Sequence, residues 1–86
     1  MLPIQDLLHR IHWDPAFGQG RFEIAYLDKV VDRLERVPLE AVHFEPGERF
    51  GFELIGLHGE GQFIPYHRVR EVYRDGVLIW SRPARD

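Results

Sequence analysis

The densest chemistry in this chain is Pro65-Tyr66-His67-Arg68-Val69-Arg70, followed by Arg74 and Arg82. A guanidinium is a planar fork that grips phosphate or carboxylate through two parallel hydrogen bonds. His67 adds a ring donor beside it. If Asp75-Gly76 closes a two-residue hairpin, Arg74 faces Val77 and Arg70 faces Ser81, and the four side chains share one face. Arg68, Arg70 and Arg74 then make a local positive stripe suited to one phosphate or a nucleic-acid end. A plainer account is salt bridging to Glu53, Glu71 and Asp75 on a solvated sheet face.

Other patterns carry less. His9 and His12 stand three apart with Asp14 just beyond, which could put two imidazoles on one helix face for a metal. No third histidine is spaced to join them, and a solvated face explains the pair more simply. Gly18-Gln19-Gly20 lacks the strand, third glycine and following helix of a phosphate loop, and reads as a turn. Ser81 is the single serine and no nucleophile elbow surrounds it. No histidine has Ser or Thr two positions later, so paired His-x-Ser/Thr phosphodiesterase chemistry has no match. Two histidines could still act as acid and base on a ribose phosphate, but no spacing selects the pair. Trp13 and Trp80 could each stack on a base, a contact worth about 1–3 kcal/mol. Core packing is the alternative, and it fits Trp80 better because Trp80 falls on a predicted strand.

The frame for these residues is small. The chain has 86 residues, no cysteine and a net charge of -3. One compact core fits that length. Disulfide and thiolate chemistry are excluded, and a cytoplasmic setting is compatible. The acidic balance argues against a protein that coats nucleic acid along its backbone. Ten of the eleven basic residues are arginine. No signal peptide and no apolar run of membrane-spanning length is expected, and nothing in the pattern calls for a metal or cofactor.

Ile4, Leu7, Leu8 and Ile11 recur at helical spacing, predicting a helix over residues 3–12 with Pro3 at its first position, ending near Trp13 because Asp14 precedes Pro15. Phe22, Ile24 and Tyr26 alternate as a half-buried strand. Residues 27–37 are ambiguous. Leu27, Val30, Val31, Leu34 and Val37 fit a helical stripe capped by Asp28, whereas a turn at 28–32 would make a hairpin. Residues 38–44 read as irregular or a single turn, and Glu45-Pro46-Gly47-Glu48 as a turn. Strands follow at Phe50–Ile55 and Gln62–Pro65, joined by a two-residue turn at Gly59-Glu60. Strands at Val69–Tyr73 and Val77–Trp80 flank Asp75-Gly76. The expected architecture is α+β, with one N-terminal helix packed on a small, mostly antiparallel sheet of hairpins.

Four segments taken in order go further: Arg10-Ile11-His12-Trp13-Asp14-Pro15, Phe22-Glu23-Ile24-Ala25-Tyr26-Leu27-Asp28-Lys29, Ile64-Pro65-Tyr66-His67-Arg68-Val69 and Gly76-Val77-Leu78-Ile79-Trp80-Ser81-Arg82. Together they resemble a small archaeal and bacterial family proposed to be an RNA cyclic-group end recognition domain. The resemblance spans nearly the whole chain, so residues 1–86 are expected to form one such domain. Two positions depart from the family pattern: Ala25 stands in place of Gly, and Lys29 in place of Arg, keeping the charge but not the fork. The family pattern also implies strand, turn, strand over residues 22–38, against the local helical spacing.

The resemblance implies binding rather than catalysis. The module would recognise phosphorylated RNA ends, among them 2′,3′-cyclic phosphates, in RNA processing or repair. Carried over by position, His67 and Arg68 are the first phosphate-binding candidates. Arg82, Arg10, Asp28 and Lys29 come second, beside Arg70 and Arg74 from the stripe, with Tyr26 and Trp13 as stacking platforms. The partner would be an RNA end or nucleotide phosphate, with an RNA-processing protein as a further partner. Two competing readings remain: a small RNA-end phosphodiesterase using His67, and a protein-interaction accessory domain.

Overall fold

A computed structural model describes residues 3–56 and 59–83. It has one helix and two antiparallel sheets, an α+β fold. Helix α1 runs Ile4–Trp13 and buries Ile4, Leu7, Leu8 and Ile11, the stripe expected from their spacing. Pro3 stands one place earlier than expected, as the N-cap, and its carbonyl accepts the Leu7 N–H. The helix stops where Asp14 turns extended ahead of Pro15, and the Asp14 carboxylate accepts the Ala16 and Phe17 N–H groups.

Strands β1 (Phe22–Asp28), β2 (Arg33–Pro38), β6 (Val69–Arg74) and β7 (Val77–Ser81) form one sheet in the order β2-β1-β6-β7. Strands β3 (Val42–His43), β4 (Gly51–Ile55) and β5 (Gly61–Pro65) form the second, in the order β3-β4-β5. Single 3₁₀ turns at Leu39–Ala41 and Tyr66–Arg68 lead into β3 and β6. One hydrophobic cluster joins α1 to both sheets, through Phe22, Ile24, Tyr26, Val69, Val72 and Trp80 on one side and Phe52 and Ile64 on the other.

Residues 27–37 are a hairpin, as the family pattern implied, and the helical spacing there is accidental. Val30 is 90% exposed, and Val31 and Leu34 are exposed as well, so the five apolar residues bury no common face. Asp28 does not cap a helix; its Oδ1 accepts the Val30 N–H at 2.8 Å and closes the turn. On the outer face of the sheet, Arg36 bonds Glu23 and lies over the Tyr73 ring, whose hydroxyl donates to Glu71.

One turn and one strand register differ from expectation. The Gly56 N–H donates to the Glu60 carbonyl, so three residues rather than two separate the paired positions at the β4–β5 end. Residues 57 and 58 lie outside the described part, and Gly59 supplies a φ of +82°. The Asp75-Gly76 turn does form with both residues at positive φ, and Arg74 faces Val77. Arg70, however, does not face Ser81. The register shifts so that Tyr73 pairs with Leu78 but Val72 pairs with Trp80, leaving Ile79 as an extra residue and Glu71 opposite Ser81. The shift has a packing reason: it puts Trp80 on the inward face beside the fully buried Val72.

Gly51 is buried against β5, and a Cβ there would meet the Ile64 carbonyl oxygen at 2.2 Å and the Pro65 Cα at 2.8 Å. Both are backbone atoms, so Gly51→Ala should lower stability by about 1–3 kcal/mol through overpacking. Urea unfolding checks this, with the midpoint expected to fall and the slope to stay constant.

Candidate functional site

The antiparallel register brings the recognisable segments to one end of the four-stranded sheet. Tyr26 pairs with Val69, and Arg33 pairs with Asp28. Ser81 pairs with Glu71, and the Arg82 N–H donates to the Arg70 carbonyl. The Asp28-Lys29 turn, the His67-Arg68 turn and Arg82 therefore share that end. Arg74 and the start of β1 lie at the other.

A second bulge shapes the site. Ala25 pairs with Glu71 and Tyr26 with Val69, so Arg70 is the unpaired extra residue of β6. Bulges of this kind re-aim a side chain and sharpen the local twist. Arg70 Nη1 donates to the His67 carbonyl three residues back. Arg82 reaches from the end of β7, donating Nε to the Val69 carbonyl at 2.9 Å and Nη2 to the Tyr66 carbonyl at 2.6 Å. Both guanidinium groups thus clamp the Tyr66–Arg68 turn. Together His67, Arg70, Arg82 and Pro83 line a hollow of about 310 Å³.

Among the described residues no carboxylate pairs with the cations of this hollow, and none of His67, Arg68, Arg70 and Arg82 belongs to an ion pair. The salt-bridge alternative finds no support here: Glu71 accepts the Tyr73 hydroxyl and Asp75 accepts the Arg21 N–H. Burial, and then the positive charge of Arg70, hold the Arg82 guanidinium below the ordinary arginine value. Arg68 Nε and Arg70 Nε are buried without a hydrogen-bond partner. With Nε and Nη2 of Arg82 engaged, and Nη1 of Arg70 engaged, one terminal nitrogen on each fork remains for an anion.

The other sequence-selected residues are distributed. Arg68 is half-buried and does not line the hollow. Lys29 is exposed in the β1–β2 turn, and Asp28 serves that turn through its carboxylate. Tyr26 is 4% exposed within the core, so its ring offers no face to a base. Burial, then the Asp28 and Glu35 carboxylates, raise its phenol above the ordinary value. Trp13 is 71% exposed at the end of α1, with the His12 ring edge-on to it. His9 and His12 both contact the Phe44 ring. Arg10 and Arg74 meet in a different hollow, between α1 and the β6–β7 hairpin. Pro83 and Phe17, which line these two hollows, gave no signal in the sequence, because apolar residues in connecting segments have no periodicity to read.

This is a small α+β domain with a cation-lined hollow at one end of its larger sheet. The chain belongs to the MJ1316 RNA cyclic group end recognition domain family, whose model matches residues 1–82. No solved structure gives a significant match. Among the described residues no helix is long and apolar enough to cross a membrane.

Arg82 holds the site's backbone as well as lining it. Arg82→Ala should cost about 1–3 kcal/mol by removing the guanidinium donor of the Val69 carbonyl and one of the two donors of the Tyr66 carbonyl, which keeps the Val69 N–H. Arg82→Lys should recover only part, since an ammonium cannot span both acceptors as the planar fork does. Denaturant midpoints for the three proteins, with amide shifts at residues 66–70, check the ordering.

Proposed function

We propose that this protein is a non-catalytic module that binds phosphorylated RNA ends, with the phosphate seated between His67, Arg70 and Arg82. The convergence of two unpaired arginine forks and one histidine on a single hollow, in a chain of net charge -3, carries the reading. A 2′,3′-cyclic phosphate has one negative charge and no free terminal hydroxyl. One free nitrogen from each fork can meet its two non-bridging oxygens, and the exposed His67 ring can donate to a ring oxygen. Charge separates this end from a hydroxyl end. The family description supports recognition of such ends. Localised charge also reconciles RNA binding with an acidic protein, because end recognition needs one phosphate site rather than a basic groove.

Arg70 and Arg82 replace Arg68 as the leading phosphate-binding residues in this reading. Arg68, whose Nε is buried, has a supporting place in the turn. Among the described residues lining the hollow, none pairs a nucleophile with a base, and His67 is read as a donor to bound phosphate.

An RNA oligonucleotide ending in a 2′,3′-cyclic phosphate should bind at least about tenfold tighter than the same oligonucleotide ending in a hydroxyl, a difference of ~1.4 kcal/mol. His67→Ala and Arg70→Ala should each erode that preference while far-ultraviolet circular dichroism stays unchanged. Equal millimolar binding of both ends would overturn the proposal. With one or two phosphates engaged, the salt dependence should be shallow, with log K falling against log salt at a slope of about -0.7 to -1.4. A steeper slope would point to extended backbone contact instead.

A further inference from the structure

The hollow between α1 and the β6–β7 hairpin has a volume of about 590 Å³, within the range of small-ligand sites. Leu7, Phe17, Ile79 and Trp80 give it an apolar wall, and Arg10 and Arg74 stand at it from opposite elements. Each arginine lies over a ring rather than against a close carboxylate: Arg10 sits 4.5 Å from the Phe17 centroid, and Arg74 sits 5.7 Å from that of Phe22. The one ion pair of either among the described residues is the Arg10–Asp14 contact, loose at 3.9 Å and well exposed.

This hollow adjoins the end-binding site along β7. Ser81 lines one and Arg82 the other. The Arg82 guanidinium lies 5.3 Å from the Trp80 ring, whose indole walls the first. Two arginines therefore stand at each of the neighbouring hollows, with Trp80 between Arg82 and the first. An apolar wall whose accessible members are Phe17 and Ile79, flanked by two cations, matches a nucleotide, with the base against that wall and the phosphate between the forks.

We infer that this hollow is a second nucleotide subsite, which holds the residue preceding the RNA end. The inference rests on the end-recognition reading for the direction of the chain, but its own chemistry is that of Arg10, Arg74 and the apolar wall. The module would then read two nucleotides: the terminal phosphate at His67, Arg70 and Arg82, and the penultimate base and its phosphate beside Phe17 and Ile79. Every base has an apolar face, so this subsite adds affinity with little sequence preference.

Calorimetric titration with three probes separates the two claims: uridine 2′,3′-cyclic phosphate, the uridine dinucleotide with the same cyclic end, and the dinucleotide with a 3′-hydroxyl. The cyclic dinucleotide should bind about tenfold or more tighter than the cyclic mononucleotide. Arg74→Gln and Arg10→Ala should each remove several-fold of that gain and leave mononucleotide binding unchanged. Arg10 is on an exposed helix face, so its variant tests the subsite even if Arg74→Gln perturbs the hairpin. If mononucleotide and dinucleotide bind alike with a strong cyclic preference, the subsite is overturned and end recognition stands. If cyclic and hydroxyl dinucleotides bind alike, yet tighter than the mononucleotide through Arg10 and Arg74, the subsite stands and end recognition fails. Loss of both differences removes both.

Discussion

The extra residue at Ile79 governs what the end of this sheet can be. A hairpin that kept the two-residue register would pair Val72 with Ile79 and turn Trp80 to the outer face. The bulge instead places Trp80 inward, 8% exposed, opposite Val72. Burying so large a ring is among the stronger stabilising terms available to a small domain. Everything downstream moves with it. Arg82 falls beside Arg70 rather than beyond it, and its fork meets the carbonyls of Tyr66 and Val69. A packing demand in the core thereby sets the geometry of a polar site at the surface.

The Arg70 bulge in β6 complements this. An ordinary ladder would pair Arg70 with β1 and alternate its side chain with Val69. Released from the ladder, Arg70 turns back on the His67 carbonyl. Two cations are then held close together by backbone oxygens and not by carboxylates. Carbonyls orient a guanidinium without neutralising it, which keeps its charge available for an anion. A carboxylate in the same place would have satisfied the forks and closed the site. Among the described residues the carboxylates that pair with arginine sit elsewhere, at Glu23 with Arg36, at Glu35 with Arg33 and at Asp14 with Arg10.

Much of the architecture was legible in the residues. The α1 stripe, the alternation of Phe22, Ile24 and Tyr26, and the Asp75-Gly76 turn are local signals, each set by sterics or by one face meeting a core. The 27–37 hairpin was not legible from periodicity. Its apolar spacing mimics a helix, and the Asp28 side chain that reads as a helix cap instead closes a turn. The family pattern resolved what local spacing left open. Stacking roles divided on burial: Trp13 is open to solvent, whereas Tyr26, equally aromatic, is enclosed.

For the site itself, the sequence determined which groups were available: a histidine among arginines, a terminal Trp-x-Arg, no thiol, and a net charge too negative for a general nucleic-acid coat. These follow from composition and from a motif a few residues long. Only the tertiary structure decided which of the arginines meet. Strand register is fixed by how buried side chains pack across the whole sheet, and one bulge moves every later residue by one place. Arg70 and Arg82 converge, Arg10 and Arg74 form a separate pair, and Arg68 stands apart. Those partnerships depend on long-range pairing of β1, β6 and β7, which no local pattern in the chain encodes.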